Sequence, residues 1–206
     1  DLMVESIAAN GGRACVNASA VWTPSHADAI AEGIARKFVT MKPRPWDDPN
    51  CEISAFAKPE VAEAINNMID EALKTPGARD VTQEMRGTPR LVKDGRIAYL
   101  LPTVVRCESP EHPLANKEFL FPFASVIEWP QDDILHRIGY TLAASVLTDD
   151  SGFVADSMAC SHIERLNVGP LPTNRLTWDQ PHEGNLFTHL YKQRAFNKAE
   201  LSGSKP

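Results

Sequence analysis

The chain has 206 residues, enough for one good-sized domain with a real core or for two small ones. Its hydrophobic fraction of 43% and charged fraction of 23% are those of an ordinary globular protein, which excludes a disordered or fibrous chain. A net charge of −6 with no run of Lys or Arg argues against a nucleic-acid-binding surface, and no apolar stretch reaches the length of a membrane-spanning helix.

The predicted elements begin at once. Leu2, Val4, Ile7 and Ala8 give a short first helix that Asn10-Gly11 ends, as Asn and Gly commonly do. Val16–Trp22 is compatible with a strand. Ser25 is a candidate N-cap, with Asp28 in the first turn of an amphipathic helix carrying Ile30, Ile34, Phe38 and Met41. The proline-rich stretch Lys42–Pro49 is irregular. Pro59 suits the first position of a second helix, whose stripe is Val61, Ile65, Met68, Ile69, Ala72 and Leu73; Thr75-Pro76-Gly77 stops it.

From Asp80 the text turns β-like. Val81-Thr82 and Leu91-Val92 read as strand fragments, and Asp94-Gly95 is a turn leading into the run Ile97–Val105. Phe119–Trp129 is nearly continuous in apolar residues, as a strand buried on both faces is. A helix follows from Pro130 to about Gly139, then a short apolar strand Leu142–Leu147, a helix around Phe153–Ala159 and a strand Glu164–Val168. Alternating strands and helices predict an α/β fold in three layers, a mostly parallel sheet flanked by helices. Beyond Gly169 the chain reads as irregular, with a last helix over Asn185–Asn197.

The four cysteines, Cys15, Cys51, Cys107 and Cys160, form no CxxC pair and no Cys/His cluster, so no metal site is expected and a reduced, cytoplasmic setting fits. The stretch around Cys15, NGGRACVNASA, is the most informative. Gly11 and Gly12 allow positive φ and close approach of another group, and Ala14, Asn17, Ala18 and Ser19 leave room around a thiol. That setting suits a nucleophile, which needs an accessible sulfur and main-chain N–H groups aimed at a developing oxyanion. A cysteine is also at home as a small buried packing residue, and the spacing alone does not choose between the two.

Four patches, in this order, resemble the aldehyde dehydrogenase superfamily's catalytic domain over roughly Ala9 to Pro170. Gly11–Cys15, GGRAC, is similar to the family's GQxC. Tyr99–Val104, YLLPTV, is similar to its G-Y-F-x-x-P-T. Lys117–Pro122, KEFLFP, is similar to E-E-x-F-G-P, and Tyr140–Val146, YTLAASV, to Y-G-L-A-A-x-V. The resemblance implies that Cys15 is the nucleophile that attacks an aldehyde, its own backbone N–H helping to hold the oxyanion. It implies that Glu118 binds the nicotinamide ribose hydroxyls of NAD or NADP, and that a thioester is then hydrolysed or passed to coenzyme A. The partners implied are a small-molecule aldehyde and, in the full-length protein, further copies of the chain, with no nucleic acid and no membrane.

The sequence departs from the family at Phe121, where a glycine is usual and where a bulky ring is expected to crowd the nicotinamide. It departs again at Leu176–Phe187, which replaces a P-F-G-G loop and whose Trp178 and Phe187 either line a substrate pocket or anchor packing. The chain opens on Asp1 rather than Met. Residues 1–206 are expected to be a single catalytic-type domain of a longer chain, with about 170–206 divergent and the upstream cofactor-binding domain absent. Alone it is expected to turn over little or nothing. Two alternatives stay open: a non-catalytic assembly module on the same scaffold, and a coenzyme-A-acylating reductase.

Overall fold

Strands whose side chains alternate between two apolar layers form the centre of the molecule. The computed structural model describes residues 1–45, 47–177 and 190. A four-stranded sheet runs in the order β1 (Ala20–Thr23), β6 (Phe123–Glu128), β5 (Thr103–Cys107) and β2 (Ala78–Asp80). β1 and β5 each pair parallel with β6, and β2 closes the edge antiparallel to β5.

Phe123 and Ile127 of β6, with Val105 and Cys107 of β5, pack with Ala62, Ile65 and Ile69 of α3 (Pro59–Ala72). Ala124 and Val126, with Val104, point the other way. They meet Ala27, Ala31, Ile34, Ala35 and Phe38 of α2 (Ala27–Phe38) and Ile7 of α1 (Leu2–Ala8). Successive strand residues thus feed opposite layers, which is why β5 and β6 are rich in apolar residues at both parities. Helices on both faces make the three layers, as expected from the sequence. Pro59 stands at the first position of α3, while Val61 and Met68 of its expected stripe lie on the exposed side.

Three local readings change. Val81-Thr82 is not a strand fragment but the start of α4 (Val81–Arg86). The Asp80 carboxylate accepts from the Gln83 N–H at 2.8 Å and caps this helix. Ser25 does not cap α2; His26 precedes that helix in the left-handed region, and the Ala27 N–H donates to the Glu128 carboxylate at 3.1 Å. The run Ile97–Val105 is two strands. β4 (Ile97–Leu100) forms an antiparallel hairpin with β3 (Leu91–Asp94) across the expected Asp94-Gly95 turn, and the chain crosses to the main sheet at Leu101-Pro102.

After α5 (Gln131–Arg137) come β7 (Thr141–Val146), α6 (Ser151–Ala159) and β8 (Ile163–Val168). β7 and β8 pair parallel in a separate two-stranded sheet, and β7 stays half-buried along its whole length. Asp1–Arg175 is one compact unit and Leu176–Pro206 a second, of which Leu176, Thr177 and Leu190 are described. The expected helix Asn185–Asn197 and residues Trp178 and Phe187 therefore lie outside the described residues, apart from Leu190. Among the described residues no helix is long and apolar enough to cross a membrane.

One buried charge ties the layers together. The Arg90 side chain is fully buried and donates to Asp80 at 2.8 Å, to Asp70 at 2.9 Å and to Asn66 at 3.1 Å. It joins α3, which carries Asn66 and Asp70, to the β2–α4 junction at Asp80. Arg90→Met strands the Asp80 carboxylate in the interior, and such a loss costs about 3–5 kcal/mol. Urea unfolding of this variant should show the drop in midpoint with an unchanged slope, whereas Arg36→Met, at an exposed pair, should barely move it.

A candidate active site at the amino ends of the central strands

The loop that carries Cys15 is built from three consecutive left-handed residues: Asn10 (φ 53°), Gly11 (φ 65°) and Gly12 (φ 69°). Gly12 needs both its freedoms. A Cβ there would lie 2.5 Å from the Phe121 carbonyl carbon and 2.7 Å from Pro122 Cα, so the two backbones touch with no space for a side chain. Gly11 makes a similar close approach to Ser54.

Cys15 then sits in a tight turn. The Ala14 N–H donates to the Asn17 side-chain oxygen at 2.8 Å, and the Asn17 N–H returns to the Ala14 carbonyl at 2.9 Å. The Asn17 amide also donates to the Ser6 carbonyl at 3.0 Å, fastening the turn to α1. Asn17 is thus a structural clasp rather than mere room around the thiol. Its type is a legible signal in hindsight, because Asn commonly closes such turns through its side chain.

Glu118 is exposed on the segment that leads into β6, and its carboxylate has no hydrogen-bond partner among the described residues. Asn116 fixes that segment. In a left-handed conformation (φ 56°), it donates from its N–H to Ser125 Oγ at 3.2 Å, accepts from Trp22 Nε1 at 3.1 Å and donates from Nδ2 to the Ile138 carbonyl at 3.3 Å. Neither the role of Asn116 nor that of Arg13, which reaches Leu120, Ser54 and Ala55, is visible in the sequence, because all their partners are distant along the chain.

Cys15 precedes β1 and Glu118 precedes β6. Since those strands are parallel, both residues come to the same end of the sheet, and both line one cleft of about 660 Å³. The cleft runs between β1 and β7 and is floored by Ser6 and Ile7 of α1. Phe121 is absent from its wall. The ring is 2% exposed and packs in the core beside Phe119 and Phe123, away from the residues that line the cleft. Phe121 lies just before β6, and its ring joins the same apolar cluster as Phe123 and the α3 residues Ala62, Ile65 and Ile69.

The cysteines differ sharply in setting. Cys15 and Cys51 are exposed, Cys160 is half-buried beside His162, and Cys107 is buried. Burial pushes the Cys107 thiol from 9.0 up to about 12. Because the folded value is the higher one, any stability linked to this thiol is complete below about pH 9 and is lost as pH rises toward 12. Among the described residues no group of three or more His, Cys, Asp or Glu is arranged to hold a metal ion.

Residues 1–187 match the family described as the Aldehyde dehydrogenase family. The chain belongs to that family. A curated relative, the aldehyde dehydrogenase tropH of Talaromyces stipitatus, is 24% identical over 208 residues, covering 87% of this chain and 39% of its own length. Among solved structures, the NAD+ complex of an aldehyde dehydrogenase from Bacillus cereus superposes with a TM-score of 0.73 at 16% identity, covering 87% of this chain and 36% of that one. The glyceraldehyde-3-phosphate dehydrogenase GapN of Methanocaldococcus jannaschii, complexed with NADP, gives 0.69 at 14% identity, covering 86% and 37%. The chain therefore spans less than two fifths of the length of these relatives.

Two outcomes test the site's geometry. Gly12→Ala should destabilise the chain more than Gly87→Ala. Both glycines have φ near +70°, but a Cβ at Gly87 meets nothing within 4 Å, so the excess, about 1–3 kcal/mol in denaturant unfolding, isolates the clash with Phe121–Pro122. Iodoacetamide at about pH 8 should label Cys15 and Cys51 in the folded chain and leave Cys107 unlabelled until denaturant is added, read by mass spectrometry.

Proposed function

We propose that this chain is the nucleophile-bearing part of an enzyme that oxidises an aldehyde with NAD or NADP. One observation carries the reading: Cys15 and Glu118, far apart in sequence, line the same cleft. Family membership and the NAD+ and NADP complexes among the relatives of similar fold support it.

The Cys15 sulfur, as thiolate, bonds to the aldehyde carbon, and the carbonyl oxygen takes the negative charge. The Cys15 backbone N–H is one donor to that oxygen. Bound NAD(P)+ supplies the acceptor for the hydride that leaves the same carbon. The carbon is thereby oxidised to a thioester on Cys15. Water then displaces the sulfur, releasing the acid and returning the thiolate. Glu118 orients the cofactor: a carboxylate has two oxygens and can accept from both ribose hydroxyls at once. Its exposed position on the cleft wall fits that task, and no residue of the described chain occupies it.

The test uses the full-length protein as it is naturally made. Cys15→Ala should lower kcat by at least about 10⁴-fold, as loss of a covalent nucleophile does. Glu118→Gln should raise KM for the cofactor about tenfold with a smaller change in kcat, the scale of one weakened charge-assisted hydrogen bond. Undiminished turnover in Cys15→Ala would refute the assignment. Running the assay with and without coenzyme A identifies the acceptor of the acyl group by its product.

A further inference from the structure

Arg13 lies between the two glycines and Cys15, and its side chain leaves the loop altogether. Its Nε donates to the Leu120 carbonyl at 3.1 Å, and its Nη2 donates to the carbonyls of Ala55 at 2.9 Å and Ser54 at 3.2 Å. The guanidinium also lies 4.4 Å from the centre of the Phe56 ring. Phe56 is itself fixed, since it exchanges two backbone hydrogen bonds with Ala98 of β4. One side chain therefore grips three segments: the loop of Cys15, the strand-like piece Ser54–Phe56, and the segment Glu118–Leu120.

We propose that Arg13 is a positioning residue that holds Cys15 in register with Glu118. The inference rests on the roles given to those two residues above. Leu120 is two residues from Glu118, and Cys15 two residues from Arg13, so each reacting group is close along the chain to one end of the same bridge. The fork of a guanidinium is what the arrangement needs, with donors pointing to separate carbonyls while the flat face stacks on an aromatic ring. A lysine can keep the ring contact and one carbonyl but cannot span both segments. The backbone contact of Gly12 with Phe121–Pro122 sets how close the segments come; Arg13 sets how they are aligned.

Two measurements decide it. The first is hydrogen–deuterium exchange on this chain, well below its melting temperature, for wild type, Arg13→Met and Arg13→Lys. In Arg13→Met, peptides covering residues 13–17 and 118–122 should both exchange at least about fivefold faster, while α2 and α3 keep their rates. In Arg13→Lys, residues 118–122 should remain fast; this variant keeps charge and stem and is read the same way should Arg13→Met fail to fold. Faster exchange confined to residues 13–17, or no change, overturns the proposal.

The second is steady-state kinetics on the full-length protein as it is naturally made. Arg13→Met should raise the cofactor KM and lower kcat together. In an Glu118→Gln background it should raise that KM no further, since the two substitutions then act through one segment. Independent, additive effects on KM overturn the proposal, because a residue that merely stabilises the fold would behave so. Absence of aldehyde oxidation by the wild-type full-length protein would defeat the functional reading instead, and the exchange measurement would still decide whether Arg13 couples the two segments.

Discussion

Gly12 meets Phe121 and Pro122 backbone to backbone, at a separation that leaves no room for even a methyl group. Most of the candidate site follows from that contact. It requires the chain to arrive in a left-handed conformation, which Asn10 and Gly11 prepare. It places the turn of Cys15 beside the segment of Glu118, although the two are far apart along the chain. A larger residue at position 12 would force the loop away from the start of β6.

Around this contact the sheet provides a stiff frame. β5 and β6 bury side chains on both faces, so neither strand can slip by one residue without exchanging its two layers. Arg90 adds a directional lock to the non-directional apolar packing. Its donors choose one placement of α3 relative to the Asp80 corner. β7 and β8 are less constrained. They pair only with one another among the described residues, and their half-buried character contrasts with the fully buried centre.

Periodicity made the layers legible. The spacing of Ile34 and Phe38, of Ile65 and Ile69, and the apolar run through Phe123–Ile127 each marked a face that is indeed buried. What escaped was decided by single polar groups. Val81 and Thr82 favour strands by type, yet the Asp80 cap turns them into a helix; the pairing of Asp80 with Gln83 three residues later was the available clue. Cys15 and Glu118 were legible only as fragments of motifs, and their sharing of a cleft is a product of parallel pairing between β1 and β6. The burial of the Phe121 ring depends on partners in α3 and β5 that are distant along the chain. The grips of Arg13 and Asn116 are long-range and have no local signature.

Ligands of open α/β sheets usually gather at the carboxyl ends of the strands. Here those ends are stitched shut. Glu128 holds the start of α2, Asp28 pairs with Arg79 and Arg106, and the Trp129 N–H donates to the Thr23 carbonyl. The cleft mouth with Cys15 lies at the opposite end, where Leu2, Met3, Ser6 and Ile7 of α1 line its wall. On the role proposed for Cys15, the charge that develops there would be met by single main-chain amides of a turn whose shape the Ala14–Asn17 hydrogen bonds fix, so its electrostatics are set by loop geometry.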